Sequence, residues 1–507
     1  MFYRCRFDDK EAESEDSPVF SECRSRGHEI MSFLGDDDKV PTAVETKPIV
    51  TSIEPLSTAL SRMNEAIRSS FPSIIFAVTV CLAIKAQMSI QGVTQVFTLI
   101  LMGNPSSYKS TVLEILAALP ECYVSDSFTP KSFVSHSANS SKKDLEKVDL
   151  LPRIRHKTLV TPELAPLFSG NPDQLVEYFG MLTRILDGRG FKSDSGVHGS
   201  RGYQGDYSFT WLGAVVDIPH RVWKLLGNLG PKIYFLRLPS DQKSGNEKIN
   251  EIKQILKGQS YAAKLESCKE NVKEFWQLFL ASVSNRKVCW DSEKDDEATL
   301  EKIIQMAMIL AKLRASVPTW HTAESDSGGA SYNFETPIEE NPSRASSALY
   351  NLARGHAVLN GRNHVAPDDL RVVVPVALSS AARERVELLR LLIEHDGELN
   401  TDEYMEASGV SRATARKEME RLVKIGLAQR MEVEGETKPI MAVKLKPEFD
   451  WFLSTEFLGY WHEFKAILNP RFSKLSQENL EKNGMSGGRE AVVPNTATLD
   501  THLEAQI

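Results

Sequence analysis

The sequence predicts an α/β fold on a parallel sheet, with a helical lid and a small C-terminal module of helices and a hairpin. Three observations carry this prediction. An apolar, β-rich run at 96–102 breaks at Gly103, crosses a short polar loop and enters a helix at 110–118. Two further β-rich runs, 157–163 and 207–217, end in the acidic residues Glu163 and Asp217. From residue 383 the pattern changes to three short amphipathic helices followed by a hairpin.

The loop after the first strand reads Gly103, Asn104, Pro105, Ser106, Ser107, Tyr108, Lys109, Ser110, Thr111. Its spacing is that of G-x-x-x-x-G-K-[ST], in which backbone N–H groups and the following helix N-terminus cradle phosphates. Lys109 is expected on the β and γ phosphates of a nucleotide and Ser110 on Mg²⁺. Tyr108 stands where the second glycine should be, and a positive φ there strains a tyrosine.

The chain has 507 residues, enough for about three domains, and 41% are hydrophobic. A net charge of −8 excludes a wholly basic nucleic-acid coat, so any such contact must come from local patches. Six cysteines are scattered without a C-x-x-C pair, which fits a reduced chain without a zinc module. The N-terminus is charged where a signal peptide needs an apolar core, and the most apolar run, 71–84, is closed by Lys85. That run reads as a buried helix, and the expectation is a soluble, cytoplasmic protein without a membrane partner.

Residues 1–50 carry 7 basic against 12 acidic residues and read as a flexible acidic leader. The α/β core is assigned to 51–240, with helical patterning from 56 to 87 ahead of the first strand. In the run ending at Glu163 a glutamate is placed to polarise an attacking water, while Pro162 takes the position of the usual Mg²⁺-supporting aspartate. A helix at 172–186 leads into a glycine-rich stretch to 206 that carries Arg189, Lys192 and Arg201. It reads as a basic hairpin or loop able to hold the phosphates of a threaded strand, or as a solvated turn. Asp217 tips the third strand, and a fourth spans 227–239 with Lys232 and Arg237 flanking it.

This order of elements resembles the AAA+ ATPases, and the basic hairpin and the P-loop lacking its second glycine are most similar to the MCM-like helicase branch. The resemblance covers 56–380. It implies ATP and Mg²⁺ as cofactors, Glu163 activating water and Asp217 as a sensor. It also implies Lys232 in the arginine-finger position, acting on a neighbour's nucleotide, and a homo-oligomeric ring, expected to be a hexamer. After a charged insertion, 341–362 looks like the lid helix of MCM-like and MoxR-like ATPases, with Arg344 at the sensor-2 position over the γ-phosphate. The lid region is assigned to 241–382.

The module at 383–448 resembles a winged helix-turn-helix domain. In its third helix Ala415, Met419 and Leu422 form the inward stripe. Arg412, Arg416, Lys417 and Arg421 are the candidate DNA contacts. Over 388–446, however, 10 basic residues meet 11 acidic ones, and such modules also dock proteins. A last aromatic helix is expected at 449–475, its rings more often core than a stacking platform, and a disordered tail at 476–507. Together these implications describe an ATP-driven ring motor on DNA, in the manner of an MCM-like replicative helicase. The alternatives are a MoxR-like protein-remodelling ATPase and an ATP-switched DNA-binding regulator with little turnover.

Overall fold

The computed structural model describes residues 2–5, 11–12, 30–33, 55–135, 142–195, 199–229, 232–239, 245–258, 260–283, 287–322, 331–434 and 439–468. The chain divides into two units, Met1–Ile53 and Glu54–Ile507. In the first, strands Phe2–Cys5, Glu11–Ala12 and Ile30–Phe33 form an antiparallel sheet with Phe2–Cys5 in the middle. Where a flexible leader is expected, the described residues are therefore strands, rich in aromatic and branched side chains that suit a pleated surface.

The second unit is built on strands β1 (Phe97–Met102), β2 (Cys122–Val124), β3 (Thr158–Thr161), β4 (Thr210–Val215) and β5 (Ile233–Arg237). All pair in parallel, in the order β5-β1-β4-β3-β2. Residues of β1, β3 and β4 are buried throughout, as in a parallel sheet covered on both faces. The two-residue period sends Phe97, Leu99 and Leu101 into one core and Ile100 and Met102 into the other.

The first core is filled by α1 (Leu56–Ser70), α2 (Ile75–Ala86), α3 (Lys109–Ala117) and residues of the lid. The second is filled by α4 (Pro172–Ile185) and the helix His220–Leu229. Asn171 and Gln174 form a capping box that starts α4, and Leu175, Phe179, Leu182 and Ile185 make its buried stripe. The apolar run at 71–84 becomes α2. The window Pro72–Ser89 is long and apolar enough to cross a membrane, yet 67% of it is buried inside the protein.

The lid comprises α5 (Tyr261–Ser282), α6 (Glu297–Arg314), α7 (Ser343–Leu359) and α8 (Leu370–Ser379). Helix α7 lies so close to α2 that a Cβ on Gly355 would stand 2.0 Å from the Ala83 carbonyl oxygen. The outer edge of β5 is covered as well: Phe235 N–H donates to Ser380 Oγ (2.8 Å) and Arg237 N–H to Ser379 Oγ (3.1 Å). Arg314 completes the join by donating to the carbonyls of Ser380 (2.7 Å) and Ile233 (3.0 Å).

The C-terminal module contains α9 (Arg383–Glu394), β6 (Glu398–Asn400), α10 (Thr401–Ser408), α11 (Arg412–Lys424), β7 (Ala428–Val433) and β8 (Ile440–Leu445). Its strands form an antiparallel sheet in the order β6-β8-β7. Gly409, at φ 70°, supplies the left-handed turn between α10 and α11. The aromatic segment is a 3₁₀ turn, Pro447–Leu453, followed by α12 (Thr455–Leu468). Phe449, Phe452, Phe457 and Trp461 are buried, so these rings are core. Residues 435–437 of the hairpin turn expected at 434–437, and the tail expected at 476–507, lie outside the described residues.

Asp369 ties the lid together. It is fully buried, accepts from both terminal nitrogens of Arg362 (2.8 Å each) and lies 2.7 Å from His356 Nδ1. Burial opposes its ionisation, but the bonds from His356 and Arg362 outweigh that and hold its carboxyl below the usual range. A depressed folded-state pKa means this contribution is present above the unfolded carboxylate pKa and is lost as pH falls through the folded value. Asp369→Asn should therefore destabilise the protein by about 3 kcal/mol at neutral pH, because it removes the fully buried carboxylate that pairs the half-buried Arg362 guanidinium and bonds His356. Urea unfolding at pH 7 and pH 3 checks this: the gap between variant and wild type should shrink at the lower pH.

Candidate active site

The loop 103–108 connects β1 to α3 and adopts a left-handed conformation at Ser106 (φ 64°) and at Tyr108 (φ 62°). The glycine-like position expected at 108 does require positive φ, and the tyrosine accepts it. The strain costs on the order of 1 kcal/mol. Ring packing offsets it: Tyr108 lies 5.6 Å from Phe71, Phe71 lies 5.7 Å from Tyr261, and the Tyr261 hydroxyl is 2.8 Å from Thr111 Oγ1.

Lys109 folds back over the loop. Its ammonium donates to the carbonyls of Gly103 (2.7 Å) and Asn104 (2.8 Å) and to Ser107 Oγ (3.2 Å). Burial lowers its pKa, with the nearby negative charge of Glu163 working against that. Ser110 is exposed at the first turn of α3, whereas Thr111 is buried. Glu163, past the end of β3, is exposed, and its Oε1 accepts from Ala165 N–H at 2.8 Å. Asp217, past the end of β4, accepts from Ile218 N–H at 2.8 Å. Because β4 and β3 run parallel to β1, these groups gather at the strand C-terminal edge around Lys109.

Among the described residues no cluster of three or more His, Cys, Asp or Glu could hold a metal alone. A divalent ion at this loop would need the Ser110 hydroxyl together with oxygens of a nucleotide. The exposed hydroxyl at the helix start fits such a role.

Lys232 and Arg344 sit elsewhere. Lys232 precedes β5, whose first residue pairs with Thr98 near the start of β1, so it lies at the opposite edge of the sheet, about 20 Å of strand from the loop. It is buried, and its ammonium bonds Asp187 Oδ1 and the Thr183 carbonyl. Burial lowers its pKa against the pull of Asp187, and the charges of Arg344 and Arg184 add to the lowering. A cavity of about 670 Å³ opens here, lined by Arg184, Arg189, Lys192, Lys232 and Arg344 with one carboxylate, Asp187. The expectation that Arg344 closes over the γ-phosphate is corrected for the chain's own nucleotide. Arg344 opens α7 on this edge and shares the cavity with Lys232 rather than with Lys109.

The basic hairpin forms from Lys192–Ser195 and Gly199–Gly202, its tip at 196–198 lying outside the described residues. Arg189 and Lys192 are exposed and line the cationic cavity. Arg201, opposite Ser193, is half-buried with Nε shielded and unpartnered.

In α11 the basic residues divide. Lys417 and Arg421, one turn apart, face a cavity of about 310 Å³ against the core and lid. Arg421 donates to Glu418 Oε1 (2.7 Å) and Thr319 Oγ1 (3.3 Å), and Lys417 lies 3.7 Å from Glu418. The reading of both as open DNA contacts is corrected: both are half-buried, on the side of the helix turned toward the core and lid. Arg412 and Arg416 are exposed, with Arg412 paired to Asp402. Missed from sequence were Arg184 and Asp187, an i, i+3 pair at the end of α4, and the Phe71–Tyr261 contact behind Tyr108.

Residues 341–389, spanning α7, α8 and the start of α9, match the family model of the AAA lid domain. No curated protein matches the chain. Among solved structures, the chain is similar to a full-length MCM homologue from Methanopyrus kandleri, with 11% identity and a TM-score of 0.31 over 64% of this chain. The match spans 61% of that homologue. The parallel sheet with its flanking helices and the lid fit an α/β AAA+ core.

The geometry around Tyr108 yields a ranking. Tyr108→Ala keeps the strained φ and loses the ring packing, so it should destabilise by about 1–2 kcal/mol. Tyr108→Gly also loses the ring but relieves the strain, and it should lie within about 1 kcal/mol of wild type. Parallel denaturant titrations check the order; Ala equal to or better than Gly would contradict it.

Proposed function

We propose that this chain is an ATP-hydrolysing AAA+ motor that assembles as a ring and acts on DNA. One observation carries the reading: loop and acids at one edge of a parallel sheet, and a cation cluster at the other edge of the same sheet. A single chain cannot bring the two together, whereas a ring would set the cation face of one copy against the loop of the next. In that arrangement Lys109 binds the β and γ phosphates and Ser110 holds Mg²⁺. Glu163 orients and deprotonates the attacking water, and Asp217 senses its position. Lys232 and Arg344 of an adjacent copy neutralise the charge that builds on the transferred phosphoryl group. A lysine in place of a finger arginine keeps the charge and gives up bidentate geometry. Mg²⁺, if held there by Ser110, would supply positive charge against the phosphates.

The C-terminal module, read as a winged helix, offers DNA the exposed Arg412 and Arg416. That docking of Lys417 and Arg421 against the core favours a second reading, a protein-remodelling AAA+ ATPase in which this module is a brace. Steady-state ATP hydrolysis with and without single-stranded DNA separates the two. The motor on DNA predicts a rate that rises several-fold with DNA and falls to background in Lys109→Ala. A rate indifferent to DNA supports remodelling, and ATP binding without turnover contradicts both.

A further inference from the structure

The cationic cavity beside β5 holds two groups that differ in how far they can reach. Lys232 is the less available. Its side chain is 6% exposed, and its ammonium is committed to Asp187 Oδ1 and to the Thr183 carbonyl in the last turn of α4. The turn that follows bypasses that carbonyl. Leu186 N–H donates to Leu182, Asp187 N–H to Arg184 and Gly188 N–H to Ile185, so the Thr183 oxygen depends on Lys232. A cation is also favourable at a helix C-terminus. Drawing Lys232 out toward a phosphate would therefore uncap α4 and strip Asp187 of its partner.

Arg184, on the same turn, is in the opposite situation. Its side chain is 75% exposed and lines the same cavity. Among the described residues its guanidinium has a single contact, 3.5 Å from Asp187 Oδ2. Asp187 thus divides its carboxylate, one oxygen holding Lys232 and the other facing Arg184 at the outer limit of a hydrogen bond. So long a contact is easily exchanged for a phosphate. The guanidinium fork can also donate to two phosphate oxygens in parallel, which an ammonium cannot do. Helix α4 is fixed at both ends, by the Asn171–Gln174 box and by Lys232, so Arg184 is presented from a rigid element.

We propose that Arg184 makes the bidentate contact to the transferred phosphoryl group of the nucleotide on the adjacent copy, with Lys232 a fixed charge behind it. This rests on the reading of a ring in which each loop faces its neighbour's cations.

Steady-state ATP hydrolysis by full-length variants, alone and mixed, tests it. Arg184→Ala should lower kcat at least about a hundredfold and leave KM for ATP within about twofold, as for a contact made only in the transition state. Arg184→Lys keeps the charge without the fork and should stay at least about tenfold below wild type. Mixed in equal parts with Lys109→Ala, Arg184→Ala should regain roughly a quarter of the wild-type rate on random assembly of the ring. Mixed with Lys232→Ala, which lacks a cation on the same face, it should regain none. Either Arg184 variant hydrolysing like wild type overturns the proposal and leaves a surface arginine at a helix end. So does Arg184→Ala unrescued by Lys109→Ala where Lys232→Ala is rescued, a result that spares the ring reading. Failure of the ring reading looks different: no pair of variants recovers, and the proposal falls with it.

Discussion

Every strand of the central sheet runs the same way, and the site geometry follows from that constraint. Parallel pairing of β1 with β5 on one side and β4 on the other brings the strand ends that carry Lys109, Glu163 and Asp217 to one edge. The same pairing sends the start of β5, and with it Lys232, to the opposite edge. Side-chain rotation cannot bridge a separation of that size, since even a fully extended lysine reaches only about two residues' worth of strand. The two groups of charges are thus fixed in direction and distance by the backbone, and an account of their cooperation has to involve two copies.

The loop and the cation cluster are both held before any ligand arrives. Lys109 rests on two loop carbonyls and a serine hydroxyl, Tyr108 is pinned in a left-handed conformation by Phe71, and Lys232 is gripped by Asp187. Preorganised charge needs little rearrangement when a phosphate enters, and this is where electrostatic catalysis gains most. Asp187 has a further consequence: a phosphate reaching Lys232 must compete with a carboxylate already there.

Legibility in the sequence followed how local each signal is. The loop was readable because its residues are contiguous and flanked by a strand and a helix, and the strained φ of Tyr108 follows from its place in the spacing. The strands ending near Glu163 and Asp217 were readable for the same reason. Arg344 was not, because its position depends on how α7 packs over α2, more than 250 residues earlier in the chain, through a contact as specific as Gly355 on Ala83. For α11, a helical wheel separates Ala415, Met419 and Leu422 from the rest but cannot say which outward side another domain covers. Lys417 and Arg421 took the covered side and Arg416 the open one.

The central claim is a catalytic centre shared between copies, and subunit mixing tests it most directly. Lys109→Ala and Lys232→Ala should each be inactive alone in ATP hydrolysis. Mixed in equal parts, they form some interfaces in which an intact Lys109 meets an intact Lys232, and activity should return to roughly a quarter of wild type on random assembly, equivalent to an apparent barrier only about 0.8 kcal/mol above the parent's. Mixtures as inactive as either variant would mean that the two lysines do not work across an interface, and the account would be wrong.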